Sequence, residues 1–237
     1  MTPLVFAVLA AAANLAGAAL VIRRARGGMR VVEVFLAFGA GFMLATAVLG
    51  MLPEVFVTPD AGVYVLAGYL LVHLAQHVLT PHFHFGEETH RVSAAAGVSA
   101  LVGLSLHTFF DGVAIASGFL VSGELGVLLF IAVSLHKVPE GVTIASVILA
   151  GGHGPRRAMA GAGAIGLATI LGVGMTGVAE PLARHGLALS AGVTLYVAAS
   201  NLVPEFQAKR GWATAAAFFG GAAAFAATRA LLDAWLA

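Results

Sequence analysis

Two segments of the chain carry residues able to do chemistry in otherwise apolar surroundings. Residues 105–117 read SLHTFFDGVAIAS and residues 134–146 read SLHKVPEGVTIAS. Aligned without a gap, both hold Ser, Leu, His, Gly, Val, Ile, Ala and Ser at the same places. Each puts a histidine four residues before a carboxylate, His107 with Asp111 and His136 with Glu140. On a helix, positions i and i+4 lie one above the other on one face. Each copy therefore presents an imidazole beside a carboxylate, and two such helices face to face offer a mixed nitrogen and oxygen site for a divalent metal.

The elements that must position these groups are set by composition. The chain has 237 residues, 60% of them hydrophobic and 10% charged, with a mean hydropathy of +0.98. Soluble domains carry about 25% charged residues, so the chain reads as an all-α polytopic membrane protein. It holds no cysteine, which excludes disulfides, iron–sulfur clusters and thiolate zinc sites. A net charge of +1 gives no reason to expect nucleic acid as a partner. Thirty glycines among many alanines fit helices that approach closely in lipid.

A spanning helix needs roughly 20 mainly apolar residues. Eight stretches qualify, at 3–22, 31–52, 61–80, 93–121, 125–150, 156–179, 187–208 and 211–235, all within a single transmembrane domain covering 1–237. The first resembles a signal peptide in its small residues. It lacks a basic segment before it and is followed by Arg23, Arg24, Arg26 and Arg30, so it reads as a retained helix. The cationic residues set orientation. Those four arginines, Arg91, Arg156, Arg157, Lys209 and Arg210 fall on one side, with only Arg184 and Arg229 on the other. Both termini are therefore expected outside, with the Glu54–Asp60 and Glu124 turns facing outward, and the inner (plasma) membrane is the expected location.

A second repeat is shorter. Segment two ends Met51-Leu52-Pro53-Glu54-Val55-Phe56 and segment seven ends Leu202-Val203-Pro204-Glu205-Phe206. In this topology the two run in opposite directions, as do segments four and five, and inverted repeats around a mid-membrane site mark transporters. Pro-Glu is also a common pair at helix ends. Asp111, Lys137 and Glu140 near the bilayer centre cost at least about 2.5–3.5 kcal/mol each, so they line a pathway or pair with one another. Pairing alone leaves the matched histidines unexplained. Pro139 lacks an N–H and crowds the carbonyl of Leu135, freeing carbonyls for a cation or water. Gly112 and Gly141, each directly after its carboxylate, allow a neighbouring helix to come close.

The two segments resemble the ZIP (Zrt/Irt-like) metal transporters, whose fourth and fifth helices carry H-N-x-x-[DE]-G and [HQ]-[ND]-x-P-E-G motifs. Here they read His107-Thr108-Phe109-Phe110-Asp111-Gly112 and His136-Lys137-Val138-Pro139-Glu140-Gly141. The eight segments, the outside termini and the His-bearing loop at 81–92 match the family as well. The resemblance implies a 3+2+3 helix arrangement, a mid-membrane site, and Zn²⁺ or a similar cation as substrate. It makes His107, Asp111, His136 and Glu140 the ligands, and places Met43 where a helix-two methionine approaches the site in some members. Thr108 and Lys137 depart from the pattern. Those positions help build a second metal site in binuclear members, so the expectation is one bound metal, with the Lys137 ammonium replacing the second ion.

Other polar residues rank lower. Glu54, Asn201 and Glu205 are pathway candidates lining the vestibules. His73 and His77 form an i, i+4 pair, read either as a minor site or as interfacial residues. The stretch Pro81-His82-Phe83-His84-Phe85-Gly86-Glu87-Glu88-Thr89-His90 reads either as a metal-capture loop or as plain loop. Glu180, His185 and His153 read as loop residues.

The leading function is transport of a divalent metal into the cytoplasm by alternating access. Zn²⁺ heads the candidates, with Fe²⁺, Mn²⁺, Co²⁺ and Cd²⁺ compatible with the same donors and no prosthetic group expected. The competing classes are a metal-binding receptor or structural protein without flux, and an intramembrane metalloenzyme. The last lacks H-E-x-x-H and any nucleophile arrangement. Expected partners are the metal ion and the bilayer, with a homodimer as the candidate assembly.

Overall fold

The computed structural model describes residues 2–23, 29–77, 94–204 and 212–236. Among these residues the chain is helical apart from short turns, without strands. In chain order the helices are α1 (Pro3–Arg23), α2 (Met29–Ala45, continuing through a π-helical turn Thr46–Met51 into Leu52–Val55), α3 (Ala61–His77) and α4 (Ala94–Val121). They continue with α5 (Gly123–Ala150), α6 (Pro155–Val178), α7 (Glu180–Tyr196, continuing through a second π-helical turn Val197–Leu202) and α8 (Trp212–Leu236). The expected basic and His-rich loop 81–92 lies outside the described residues, as do Glu205 and the Lys209–Arg210 pair.

Six stretches are long and apolar enough to cross a membrane: Pro3–Arg23, Ala37–Val55, Leu104–Val121, Gly123–Leu149, Pro155–Val178 and Trp212–Leu231. The helix α3 is apolar but shorter, over Ala61–Gln76. The helix α7 starts at Glu180 rather than near 187, so Glu180, Arg184 and His185 lie in its first turns rather than in a loop. The reason is local. Pro181 suits the first turn of a helix, where its missing N–H costs nothing, and Glu180 complements the positive end of the helix dipole. Ser122 starts α5 in the same spirit, its Oγ accepting from the Leu125 N–H at 3.0 Å.

Burial separates the helices. The apolar window of α4 is 67% buried while that of α8 is 11% buried, so the helix carrying His107 and Asp111 is interior and α8 is peripheral. The helices α1, α4, α5 and α6 contact one another closely. Outside this bundle α2 joins α8 and α3 joins α7, and α2 meets α7 around the two π turns. The two groups touch chiefly where α4 meets α7 and α5 meets α2.

Glycines set the closest of these approaches. A Cβ on Gly112 of α4 would strike the Thr169 carbonyl of α6, and one on Gly172 would strike the Phe109 carbonyl in return. The same reciprocal clasp joins α1 to α5, with Gly17 on the Val138 carbonyl and Gly141 on the Asn14 carbonyl. Gly112 and Gly141 are the residues that directly follow Asp111 and Glu140, so α4 and α5 are each pressed against a neighbour at the level of that carboxylate. Matching clasps join α2 to α8 through Gly41 and Gly221, and α3 to α7 through Gly68 and Gly192.

Candidate metal site

The helices α4 and α5 lie side by side and bring four side chains together. One donor atom from each of His107, Asp111, His136 and Glu140 lies within 4.8 Å of the others. His107 Nε2 stands 2.9 Å from Glu140 Oε1 and 3.4 Å from Asp111 Oδ2. His136 Nε2 stands 3.3 Å from Asp111 Oδ2 and 3.7 Å from Glu140 Oε1. A tetrahedral ion with bonds of about 2.0–2.1 Å holds its ligand atoms roughly 3.4 Å apart, and the four approaches bracket that spacing.

The donors are preset in part. His136 Nδ1 lies 2.9 Å from the Ala132 carbonyl one turn back. With Nδ1–H donating there, Nε2 carries the lone pair that faces the cluster. His107 Nε2 and Glu140 Oε1 are buried and 2.9 Å apart, and neither has a hydrogen-bond partner outside the cluster. Buried polar atoms are seldom left so, and a cation between them would satisfy both.

Lys137 completes the constellation. Its Nζ donates to Asp111 Oδ2 at 2.5 Å and to Glu140 Oε2 at 2.8 Å, and the side chain is wholly buried. The ammonium thus takes the Glu140 oxygen that faces away from the histidines, but shares with them the Oδ2 of Asp111. Thr108 is buried too, but its hydroxyl goes to the Ser105 carbonyl of its own helix at 3.2 Å. The helix α5 runs unbroken through position 139.

Met43 is buried and lines a cavity of about 10 Å³ together with Asp111, His136, Thr46 and Thr194. Thr46 and Thr194 were not singled out from the sequence. The signal for Thr194 was present: it stands ten residues before Pro204 as Met43 stands ten before Pro53. Glu54 lies instead on a pocket of about 720 Å³ beside Asp60, Tyr64, Arg184 and His185. The His185 ring stacks on Tyr64 with centroids 3.8 Å apart. Between pocket and cavity lies one apolar cluster. Its members Val55, Ala61, Leu187 and Ala188 line the pocket, and Met51, Ala114 and Leu129 line the cavity. Asn201 is in the second π turn, and His73 is exposed with its ring against Tyr196.

The model of the ZIP zinc transporter family matches residues 84–229, which include α4 to α7 and most of α8. The chain belongs to the ZIP zinc transporter family. No curated protein matches it. Membership makes this chain an integral membrane protein that transports divalent metal, and the family consists of transporters rather than enzymes.

Proposed function

We propose that this ZIP-family chain moves Zn²⁺ into the cytoplasm through one mid-membrane site formed by His107, Asp111, His136 and Glu140, with Met43 at its edge. The observation that carries the reading is the set of buried donor atoms spaced for a tetrahedral ion, with His107 Nε2 and Glu140 Oε1 turned to each other and given no hydrogen-bond partner outside the cluster. Two imidazoles and two carboxylates also accept Fe²⁺, Mn²⁺, Co²⁺ and Cd²⁺. Zn²⁺ heads the order because the spacing suits four-coordination.

Lys137 argues for one ion per chain. Its ammonium takes one oxygen of each carboxylate, the place a second cation would use, and a second positive ion there meets direct repulsion. The arrangement proposed is eight spans within one domain, ordered 3+2+3 with inverted repeats and both termini outside. The four reciprocal glycine clasps support the inverted repeat. They relate α1 to α6, α2 to α7, α3 to α8 and α4 to α5 position by position, and α2 and α7 share a π turn before Pro-Glu or Pro. Access alternates as the α1, α4, α5, α6 bundle shifts against the remaining helices. The apolar cluster between site and pocket closes that end in the state seen here. Glu54 lines the vestibule at this end, and Asn201 and Glu205 remain the candidates proposed from the sequence for the route at the other.

Zn²⁺ uptake into proteoliposomes tests the reading. Flux by the wild type that vanishes in Asp111→Ala and Glu140→Ala is the expected result. Metal binding without flux would instead favour a receptor. Anomalous scattering should find one ion per chain, and two ions in the wild type would overturn the role given to Lys137.

A further inference from the structure

Buried hydroxyls on membrane helices commonly donate to the carbonyl one turn back on their own helix. The buried Thr46 and Thr176 do so here, to Phe42 and Gly172, as do the half-buried Thr228 to Ala224 and the exposed Ser146 to Val142. Ser190 does not. Wholly buried on α7, its Oγ donates at 2.8 Å to the Phe110 carbonyl of α4, the residue directly before Asp111. This bond crosses from one group of helices to the other, at the level of the metal site.

Two turns further along α4 stands a hydroxyl in the opposite situation. Ser117 is 3% exposed, and its Oγ has no hydrogen-bond partner. Its counterpart in the repeat, Ser146, donates to Val142 in its own helix, so the orphan is not a property of the motif. Opposite Ser117 is Gly186 of α7, one turn before Ser190, where an added Cβ would meet Ser117 Oγ. The α4–α7 contact therefore holds one paired hydroxyl and one unpaired hydroxyl, on facing helices and displaced along their axes.

We propose that Ser190 and Ser117 are the two positions of a latch between the helix groups. Ser190 holds the state seen here, in which the apolar cluster seals the site from the pocket. Ser117 gains its hydrogen bond when α4 shifts along α7 and that end opens. The proposal rests on the alternating-access reading, and Ser190 acts as a positioning residue that touches no donor atom of the site.

The chain has no cysteine, so paired spin labels can be placed without removing any native residue. Val63→Cys on α3 and Val121→Cys on α4 are both exposed, in segments that border the pocket. Their distance distribution in liposomes, read by electron spin resonance, reports opening of that end. Ser190→Ala should raise the longer-distance population by about threefold to tenfold, the effect of one hydrogen bond between helices. Ser117→Ala should move it the other way, and Ser190→Thr should leave the distribution as in the wild type. In uptake assays Ser190→Ala should change the maximal rate more than KM. Both alanine variants leaving the distances unmoved, or moving them the same way, would overturn the latch. Absence of flux in the wild type would sink the transport reading separately, since the distances are measured without flux.

Discussion

At the scale of single residues, Lys137 decides the electrostatics of the site. Two buried carboxylates facing each other repel strongly at low dielectric, and the ammonium bridging them at 2.5 and 2.8 Å offsets that repulsion. Breaking a buried ion pair from one side costs about 3–5 kcal/mol. Lys137→Met should therefore lower the thermal stability of the metal-free protein by an amount of that order. A unit charge a few ångströms from the ion also weakens its binding, so the same variant should bind Zn²⁺ about tenfold or more tightly. Zn²⁺ should then restore more stability to the variant than it adds to the wild type. Competition against a fluorescent chelator and a thermal melt with and without Zn²⁺ check the two halves. Unchanged affinity together with unchanged metal-free stability would remove Lys137 from the site. The i, i+4 pairs of histidine and carboxylate were plain in the sequence because a helix has one period. What was not legible was which oxygen of each carboxylate meets the ammonium, since that depends on how far apart α4 and α5 lie.

At the scale of elements, the reciprocal glycine clasps hold the ligand helices in place. A side chain at Gly112 or Gly141 meets a backbone carbonyl of the neighbouring helix, and a carbonyl cannot rotate out of the way as a flexible side chain can. Overpacking of this kind costs typically about 1–3 kcal/mol. Gly112→Ala and Gly141→Ala should each lower stability by that amount, and each should weaken Zn²⁺ binding by displacing the adjacent carboxylate. Melting curves and zinc titration of the two purified variants test this. Gly123→Ala, where nothing lies within 4 Å, is the control expected to show neither effect. The matched placement of Gly112 and Gly141 was readable as a sign of close approach. Their partners Asn14 and Thr169 were not, because no pattern in one helix says which other helix lies against it. The π turns at Thr46–Met51 and Val197–Leu202 were equally hidden, although the Pro-Glu repeat marked where they end.

At the scale of the whole molecule, the contacts divide the helices into the α1, α4, α5, α6 bundle and a second group that meets it mainly through α4 with α7 and α5 with α2. If access alternates by movement between these groups, a covalent link across the boundary should stop flux while one inside the bundle should not. Gly186 and Ser117 face each other across it, whereas Gly161 of α6 and Ile148 of α5 face each other within the bundle. Oxidation of the Gly186→Cys, Ser117→Cys protein should abolish uptake, and a reductant should restore it. The Gly161→Cys, Ile148→Cys protein should transport in either redox state. Equal flux in both oxidised proteins would exclude motion along this boundary.

The sequence by itself determined that this chain is helical and membrane-embedded, because its 60% hydrophobic and 10% charged residues fall in apolar stretches of about 20, long enough for helices that satisfy their own backbone in lipid. It also singled out four side chains as candidate metal ligands, because two i, i+4 pairs of imidazole and carboxylate within apolar helices have few purposes. Tertiary structure alone decided that the four donors converge within 4.8 Å. It alone decided that Lys137 shares Asp111 Oδ2 with the two histidines while taking the other oxygen of Glu140, and that an apolar cluster stands between the site and the larger pocket. Those outcomes depend on the distance and rotation between helices. Shape complementarity of small residues sets both, and it is a property of pairs of surfaces rather than of any one stretch of chain.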